Sequence, residues 1–206
     1  MKKQIIIIGA GPGGIQLAYY FEKNNIDYIV LERNDKSGSF YEKFPIHKKL
    51  ISINKVHTGF EDPEVNMRFD WNSLLSDDNE VLFKDISEEY FPSSDSFVEY
   101  INKYSEYHNL NIKYNTEVKQ IRKSDQFEIE TNNETYQCEH LVIATGLSKP
   151  YMPNIENIDL CTNYTDLEFD PKPYTGKRVL ILGKANSAFE TADHLIPYAS
   201  LIHCLS

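Results

Sequence analysis

An α/β fold built on a parallel sheet is the architecture this sequence predicts, and three observations predict it. Two glycine-rich turns, GAGPGG at Gly9 to Gly14 and GKANSA at Gly183 to Ala188, each follow directly on a short apolar run. Each turn opens a segment with helical apolar spacing, so each reads as a strand-turn-helix unit. Between them a hairpin pattern runs into a third apolar strand, Leu141 to Ile143, that ends in Ala144-Thr145-Gly146. The expected fold is a Rossmann-like domain with a parallel sheet and a β-hairpin or meander, followed by the start of a second Rossmann-like domain.

The first unit satisfies its chemistry position by position. Gln4 to Ile8 is a β-branched run of the kind that forms a strand covered on both faces. Gly9, Gly11 and Gly14 then fill the three glycine places of G-x-G-x-x-G. They serve the tight turn, the close approach of backbone to a pyrophosphate, and the packing of helix on strand. Ile15, Leu17, Ala18 and Phe21 continue as the apolar face of a helix ended by Asn24-Asn25; its N-terminal amides and dipole would face the phosphates. A second strand, Tyr28 to Leu31, is closed by Glu32, 18 residues after Gly14. An acid there accepts from a ribose hydroxyl and repels a 2′-phosphate, so FAD or NAD fits the first turn and NADP does not.

From Lys36 to Pro92 the chain is rich in aromatic, Asp and Asn residues without sustained periodicity, which predicts loop with short helices. Order returns with Ser94 or Asp95 as an N-cap, and Phe97, Tyr100, Ile101 and Tyr104 form a core stripe on a helix reaching about His108. Asn111 to Tyr114 and Glu117 to Arg122 read as short strands, and Phe127 to Glu130 with Tyr136 to Glu139 as a hairpin around Asn132-Asn133. Ala144-Thr145-Gly146, followed by Pro150 and Pro153, brings small residues to the carboxyl edge of the sheet, where open α/β folds bind ligands. In the second unit, Ala185 stands in the middle glycine place and Leu201 to Leu205 is the next strand.

Composition narrows the function classes. A net charge of −10 argues against nucleic acid or an anionic membrane as partner. The isoleucine run after Met1-Lys2-Lys3 stops at Gly9, too short for a signal peptide core, and no apolar run reaches the length of a membrane span. The expected compartment is the cytoplasm. Cys138, Cys161 and Cys204 are odd in number and far apart, offering no disulfide framework and no metal-ligand spacing.

Taken in order, GAGPGG, Glu32-Arg33, the ATG at 144 to 146 and GKRVLILGKANSAFETA at 176 to 192 resemble the flavin-dependent monooxygenases and their relatives among two-dinucleotide flavoproteins. FPIHKKLISINKVHTG at 44 to 59, DWNSLL at 70 to 75 and YFPSSDSFVEY at 90 to 100 are similar, more narrowly, to the FAD-dependent oxidoreductase domain-containing proteins. The resemblance implies FAD along the first turn and NAD(P)H along the second, with hydride passing from nicotinamide to flavin and on to oxygen or another acceptor. It implies an FAD-binding domain over 1–165 and the beginning of an NAD(P)H-binding domain over 166–206. Carried across, Gly9, Gly11, Pro12, Gly13 and Gly14 cradle the FAD pyrophosphate, Glu32 and Arg33 border its ribose, Val118 meets adenine through its backbone, and Thr145 and Gly146 lie alongside. Gly183, Ala185, Asn186, Ser187 and Ala188 form the nicotinamide turn, and Asn54 is the implied catalytic residue beside the isoalloxazine ring.

The sequence also departs from that pattern. In place of the F-x-G-x-x-x-H-x-x-x-Y signature it reads IENIDLCTNYTDL, with Tyr164 the one remnant, which weakens substrate hydroxylation as the outcome. No cysteine pair stands near either turn, which disfavours a thiol-disulfide oxidoreductase and leaves a non-catalytic FAD-binding module as the other alternative. The methyl of Ala185 predicts weaker nicotinamide binding. Because the sequence given ends at Ser206, within the resemblance's nicotinamide domain, an uncovered apolar surface and self-association through it are expected.

Overall fold

The four-residue isoleucine run Ile5 to Ile8 forms the centre of a six-stranded sheet because both of its faces are covered. In the computed structural model, which describes residues 1–147 and 151–205, strand β1 (Lys2–Ile8) carries Ile7 into one core and Ile6 and Ile8 into another. Helix α1 (Pro12–Lys23) and helix α4 (Ser94–Tyr107) supply the first core with Ile15, Ala18, Phe97, Tyr100 and Tyr104. Strands β5 (Phe127–Thr131) and β6 (Thr135–Ile143) supply the second with Ile129, Tyr136 and Cys138. The sheet order is β3-β2-β1-β6-β5-β4, with β2 at Tyr28–Leu31, β3 at Ile112–Lys113 and β4 at Val118–Lys123. β1 pairs in parallel with β2 and β6, and β2 with β3, whereas β6-β5-β4 is an antiparallel meander. This is the expected fold.

Two boundaries differ from expectation. The hairpin strand and the Leu141 to Ile143 strand are one continuous strand, β6, which pairs with β5 through Cys138 and with β1 along its length to Ile143. The N-cap of α4 is Ser93, whose Oγ accepts from the Ser96 amide at 3.0 Å, in place of Ser94 or Asp95. The loop region contains the short helices α2 (Phe40–Lys43) and α3 (Pro63–Met67) and little other regular structure, as its composition predicts. Pro150 lies outside the described residues, as does Ser206.

The aromatic stripe of α4 is core and also a clamp. Tyr100 and Tyr104 are fully buried, and burial pushes both phenols above their ordinary pKa. The Tyr100 hydroxyl accepts from the Leu74 amide at 2.6 Å, and the Tyr104 hydroxyl donates to the Leu75 carbonyl at 2.7 Å. Gln16 of α1 brackets Leu75 from the other side, with Nε2 donating to its carbonyl at 3.0 Å and Oε1 accepting from its amide at 2.7 Å. Tyr100→Phe strands the Leu74 amide in the core, so we expect a loss of about 1–3 kcal/mol in urea unfolding.

The described residues fall into two compact units, Met1–Lys43 with 50–147, and Phe44–Lys49 with 151–205. In the second, β7 (Arg178–Leu182) and β8 (Leu201–Leu205) pair in parallel, joined through α5 (Asn186–Leu195). Leu180, Leu182, Leu201 and Leu205 remain exposed there.

Candidate functional site

The first glycine turn connects β1 to α1 through a backbone that only some of its glycines require. Gly9 adopts φ +103°, and a Cβ on it would lie 2.6 Å from the Ala144 carbonyl oxygen. A Cβ on Gly14 would sit well inside contact distance of the Gly9 carbonyl oxygen and 3.5 Å from the Ala144 methyl. These two are demanded by the fold. Gly11 and Gly13 are not, since a Cβ at either meets no atom within 4 Å. Gly11 is the N-cap of α1 at φ −77°, ψ 177°, a conformation open to any residue, and no side chain caps the helix. The orphan amides of the first turn of α1 and the bare surface of Gly11 and Gly13 thus form an open cradle suited to a pyrophosphate. Pro12 occupies the first helical position, where its missing N–H costs nothing.

Three chain segments meet around that cradle. The Ala144 amide donates to the Ile8 carbonyl at 2.8 Å, which lays the end of β6 against the turn. Thr145 and Gly146 follow it, both exposed. Glu32, 7 % exposed, accepts from the Ala10 amide at 2.8 Å through Oε2, and from the Asn34 amide and Nδ2 at 3.0 and 3.1 Å through Oε1. The Thr116 amide donates to the Glu32 carbonyl at 2.8 Å and the Asn115 amide to the Asn34 carbonyl at 2.9 Å, so Val118, two residues on, enters β4 beside the acid. Arg33 is exposed next to it. Gly9 to Gly14, Glu32, Ala144 and the approach to Val118 are therefore brought together. Asn34 escaped the sequence reading because nothing distinguishes it from other polar loop residues except its place two after an acid, an offset common for local side-chain bonds.

Asn54 is buried and serves its own loop. Its Nδ2 donates to the Ser87 and Glu89 carbonyls at 2.6 and 3.2 Å, and its amide donates to the Tyr90 carbonyl at 2.9 Å. Both side-chain hydrogens are thereby committed, leaving Oδ1 as the atom it can offer. It borders a cavity of about 190 Å³ lined also by Lys55, Met67, Asp70, Leu82 and Lys84.

In the second unit, Gly183 adopts φ +135° and its amide donates to the Leu205 carbonyl at 2.6 Å. Ala185 is the N-cap of α5 at φ −96°, ψ −176°, an extended geometry that costs alanine nothing. Its methyl matters only to an approaching ligand. Asn186 and Ser187 are exposed at the first turn, followed by Ala188. The Ser187 hydroxyl pairs with Tyr164, whose phenol also accepts from the Ile46 amide at 2.9 Å and is raised in pKa by burial. Thr191 donates to the Ser187 carbonyl at 2.7 Å, so His47 Nε2 must donate to the Thr191 oxygen, at 2.9 Å. Burial, with His194 nearby, holds the His47 imidazole below its usual pKa.

Cys138 is buried, Cys161 exposed and Cys204 half-buried, and all three are free thiols. Burial pushes the Cys138 thiol up. Among the described residues no group of His, Cys, Asp and Glu could hold a metal ion, and no helix is long and apolar enough to cross a membrane.

FAD-dependent oxidoreductase domain-containing protein 2 of Danio rerio is 42 % identical over 212 residues, covering 100 % of this chain and 31 % of that protein. The chain thus spans under a third of that relative's length. Among solved structures, a flavin-containing monooxygenase from Stenotrophomonas maltophilia matches with TM-score 0.77 at 15 % identity, over 100 % of this chain and 58 % of that one. Bacillithiol disulfide reductase from Staphylococcus aureus matches with TM-score 0.72 at 24 % identity, over 99 % and 57 %. These two likenesses speak for the fold, a Rossmann-like flavoprotein fold. The family pattern described as pyridine nucleotide-disulphide oxidoreductase matches residues 6–206, nearly the whole chain from β1 through the second glycine turn, and the chain belongs to that family.

Proposed function

We propose that the chain carries the FAD-binding part, over 1–165, and the beginning of the NAD(P)H-binding part, over 166–206, of an oxidoreductase of flavin monooxygenase type. The packing division described above falls earlier, between 147 and 151, and takes in 44–49; the proposed parts are assigned by cofactor and not by packing. The observation that supports this reading most is the open cradle at Gly11 and Gly13 beside an anchored acid. FAD bound there would take hydride from the nicotinamide and pass electrons to oxygen or another acceptor. The chain's own residues bind and orient. Gly9, Gly11, Pro12, Gly13 and Gly14 cradle the pyrophosphate, with the amides of Gly11, Gly13 and Gly14 facing it, Glu32 accepts from the ribose, and Arg33, Val118, Thr145 and Gly146 border the adenosine half. Asn54 stands beside the ring, offering Oδ1 as an acceptor. Gly183, Ala185, Asn186, Ser187 and Ala188 seat NAD(P)H, less tightly for the added methyl. The partners are a small molecule or oxygen, without nucleic acid or membrane, and the exposed leucines of β7 and β8 support self-association.

Titration with FAD, then anaerobically with NADH and with NADPH, tests the reading. We expect stoichiometric FAD uptake and bleaching of the flavin by one of the two nicotinamides. A protein that takes up no FAD ends the proposal; one that takes up FAD and is reduced by neither nicotinamide is a non-catalytic FAD-binding module. Thiol-disulfide exchange is disfavoured because no cysteine pair stands near either glycine turn, and changing all three cysteines to serine is expected to leave flavin reduction intact.

A further inference from the structure

The acid that closes β2 sits in a closed circuit of hydrogen bonds whose key member lies outside the glycine motif. The Ala10 amide donates to Glu32 Oε2, and Asn34 donates twice to Glu32 Oε1, from its amide and from Nδ2. Asn34 Nδ2 also donates to Ser39 Oγ at 2.7 Å, and the Gly38 amide returns to the Ala10 carbonyl at 2.9 Å. The circuit therefore begins and ends on Ala10. Helix α4 fixes its far side, since Asn102 accepts from the Ser37 amide at 3.1 Å and donates to the Ser37 carbonyl at 3.0 Å.

A carboxylate offers about four lone-pair directions. Oε1 has two filled, both by Asn34, and Oε2 has one filled, by the glycine turn. The direction left open is on Oε2, the oxygen nearer the cradle. We infer that Asn34 is a positioning residue for the dinucleotide: by saturating Oε1 it fixes the Glu32 carboxylate so that Oε2 presents its remaining lone pair to a ribose hydroxyl. Without the Asn34 side chain, Oε1 gains an open acceptor direction and the carboxylate regains rotational freedom. The ribose then meets a less preorganised partner. This inference rests on the FAD reading above.

The test pairs two ligands with two variants. FAD and its analogue carrying 2′,3′-dideoxyadenosine are titrated into the full chain by flavin fluorescence, for the unaltered protein, Asn34→Ala and Asn34→Asp. Asn34→Ala is expected to weaken FAD about tenfold, the scale of one bond to a charged group, while leaving the dideoxy analogue within about twofold, because the analogue has no hydroxyl for Glu32 to receive. Asn34→Asp replaces a donor with a second carboxylate against Glu32 and is expected to weaken FAD further than Asn34→Ala. If Asn34→Ala binds FAD as the unaltered chain does, or weakens FAD and the analogue equally, Asn34 is a structural loop residue and the inference is overturned. Failure of the unaltered chain to take up FAD overturns the functional proposal together with this inference, and is distinguishable by occurring before any substitution is made.

Discussion

Gly14→Ala is expected to destabilise the first unit by about 2 kcal/mol. The added methyl would collide with the Gly9 carbonyl group, while its 3.5 Å separation from the Ala144 methyl is ordinary contact. Backbone atoms form the obstacle, so no rotamer change relieves it. Either α1 lifts off β1 or the turn between them reopens, and both movements disturb Ile15 and Ala18, which are fully buried. Alanine's better helix propensity returns about 1 kcal/mol, against an overpacking cost of about 3 kcal/mol or more where backbone must shift. Against a typical domain stability of about 5–15 kcal/mol, the net loss is large. Thermal unfolding of the FAD-free protein should show a midpoint lowered by about 5–10 °C, with FAD uptake lost as well because the Ala10 amide no longer meets Glu32. A variant melting with the unaltered protein would mean that helix and strand are not packed as described.

The parts of the fold that were legible in the sequence are those where one local pattern meets one environment. β1 is apolar at every position from Ile5 to Ile8 because α1 and α4 cover one face and the meander the other, and that continuity is visible in the letters. β6 was harder, because its environment changes along its length. From Thr135 to Cys138 every second residue is buried, as an antiparallel hairpin strand requires; Leu141 and Val142 are then half-buried at consecutive positions beside β1. Two periodicities in one strand read as two strands. At the start of α4, Ser93, Ser94 and Asp95 are all good caps, and propensity cannot choose among neighbours of equal quality.

The candidate site divides in the same way. Glycines, acid and strand ends follow a fixed spacing, so Gly9 to Gly14 and Glu32 could be found by counting. The loop from 36 to 92 is ordered by side-chain bonds to nearby backbone, as where Asp70 accepts from the Asn72 and Ser73 amides at 3.0 and 2.9 Å. Such bonds leave no period to detect. The commitment of both Asn54 side-chain hydrogens to the Ser87 and Glu89 carbonyls, more than 30 residues along the chain, is likewise a property of the folded loop.

Gly11→Val, three residues earlier in the same motif than Gly14, should have the opposite profile. A Cβ at Gly11 meets nothing within 4 Å, and its φ of −77° and ψ of 177° suit a β-branched residue. The fold therefore has no reason to hold glycine there, and replacing it removes freedom from the unfolded chain. Stability of the FAD-free protein should be unchanged or raised, by up to about 1 kcal/mol. FAD affinity should fall by about 100-fold or more, equivalent to about 3 kcal/mol, because an isopropyl group would fill the space through which a pyrophosphate reaches the amides of α1. The two measurements, thermal unfolding without FAD and fluorescence titration with it, must separate. If both are lost together, Gly11 is a structural residue after all. If FAD binds to Gly11→Val as well as to the unaltered chain, the cofactor does not lie across this turn. Paired with Gly14→Ala, the variant makes one short motif report twice: one glycine is kept by the packing of helix on strand, the other by a ligand that the chain itself does not contain.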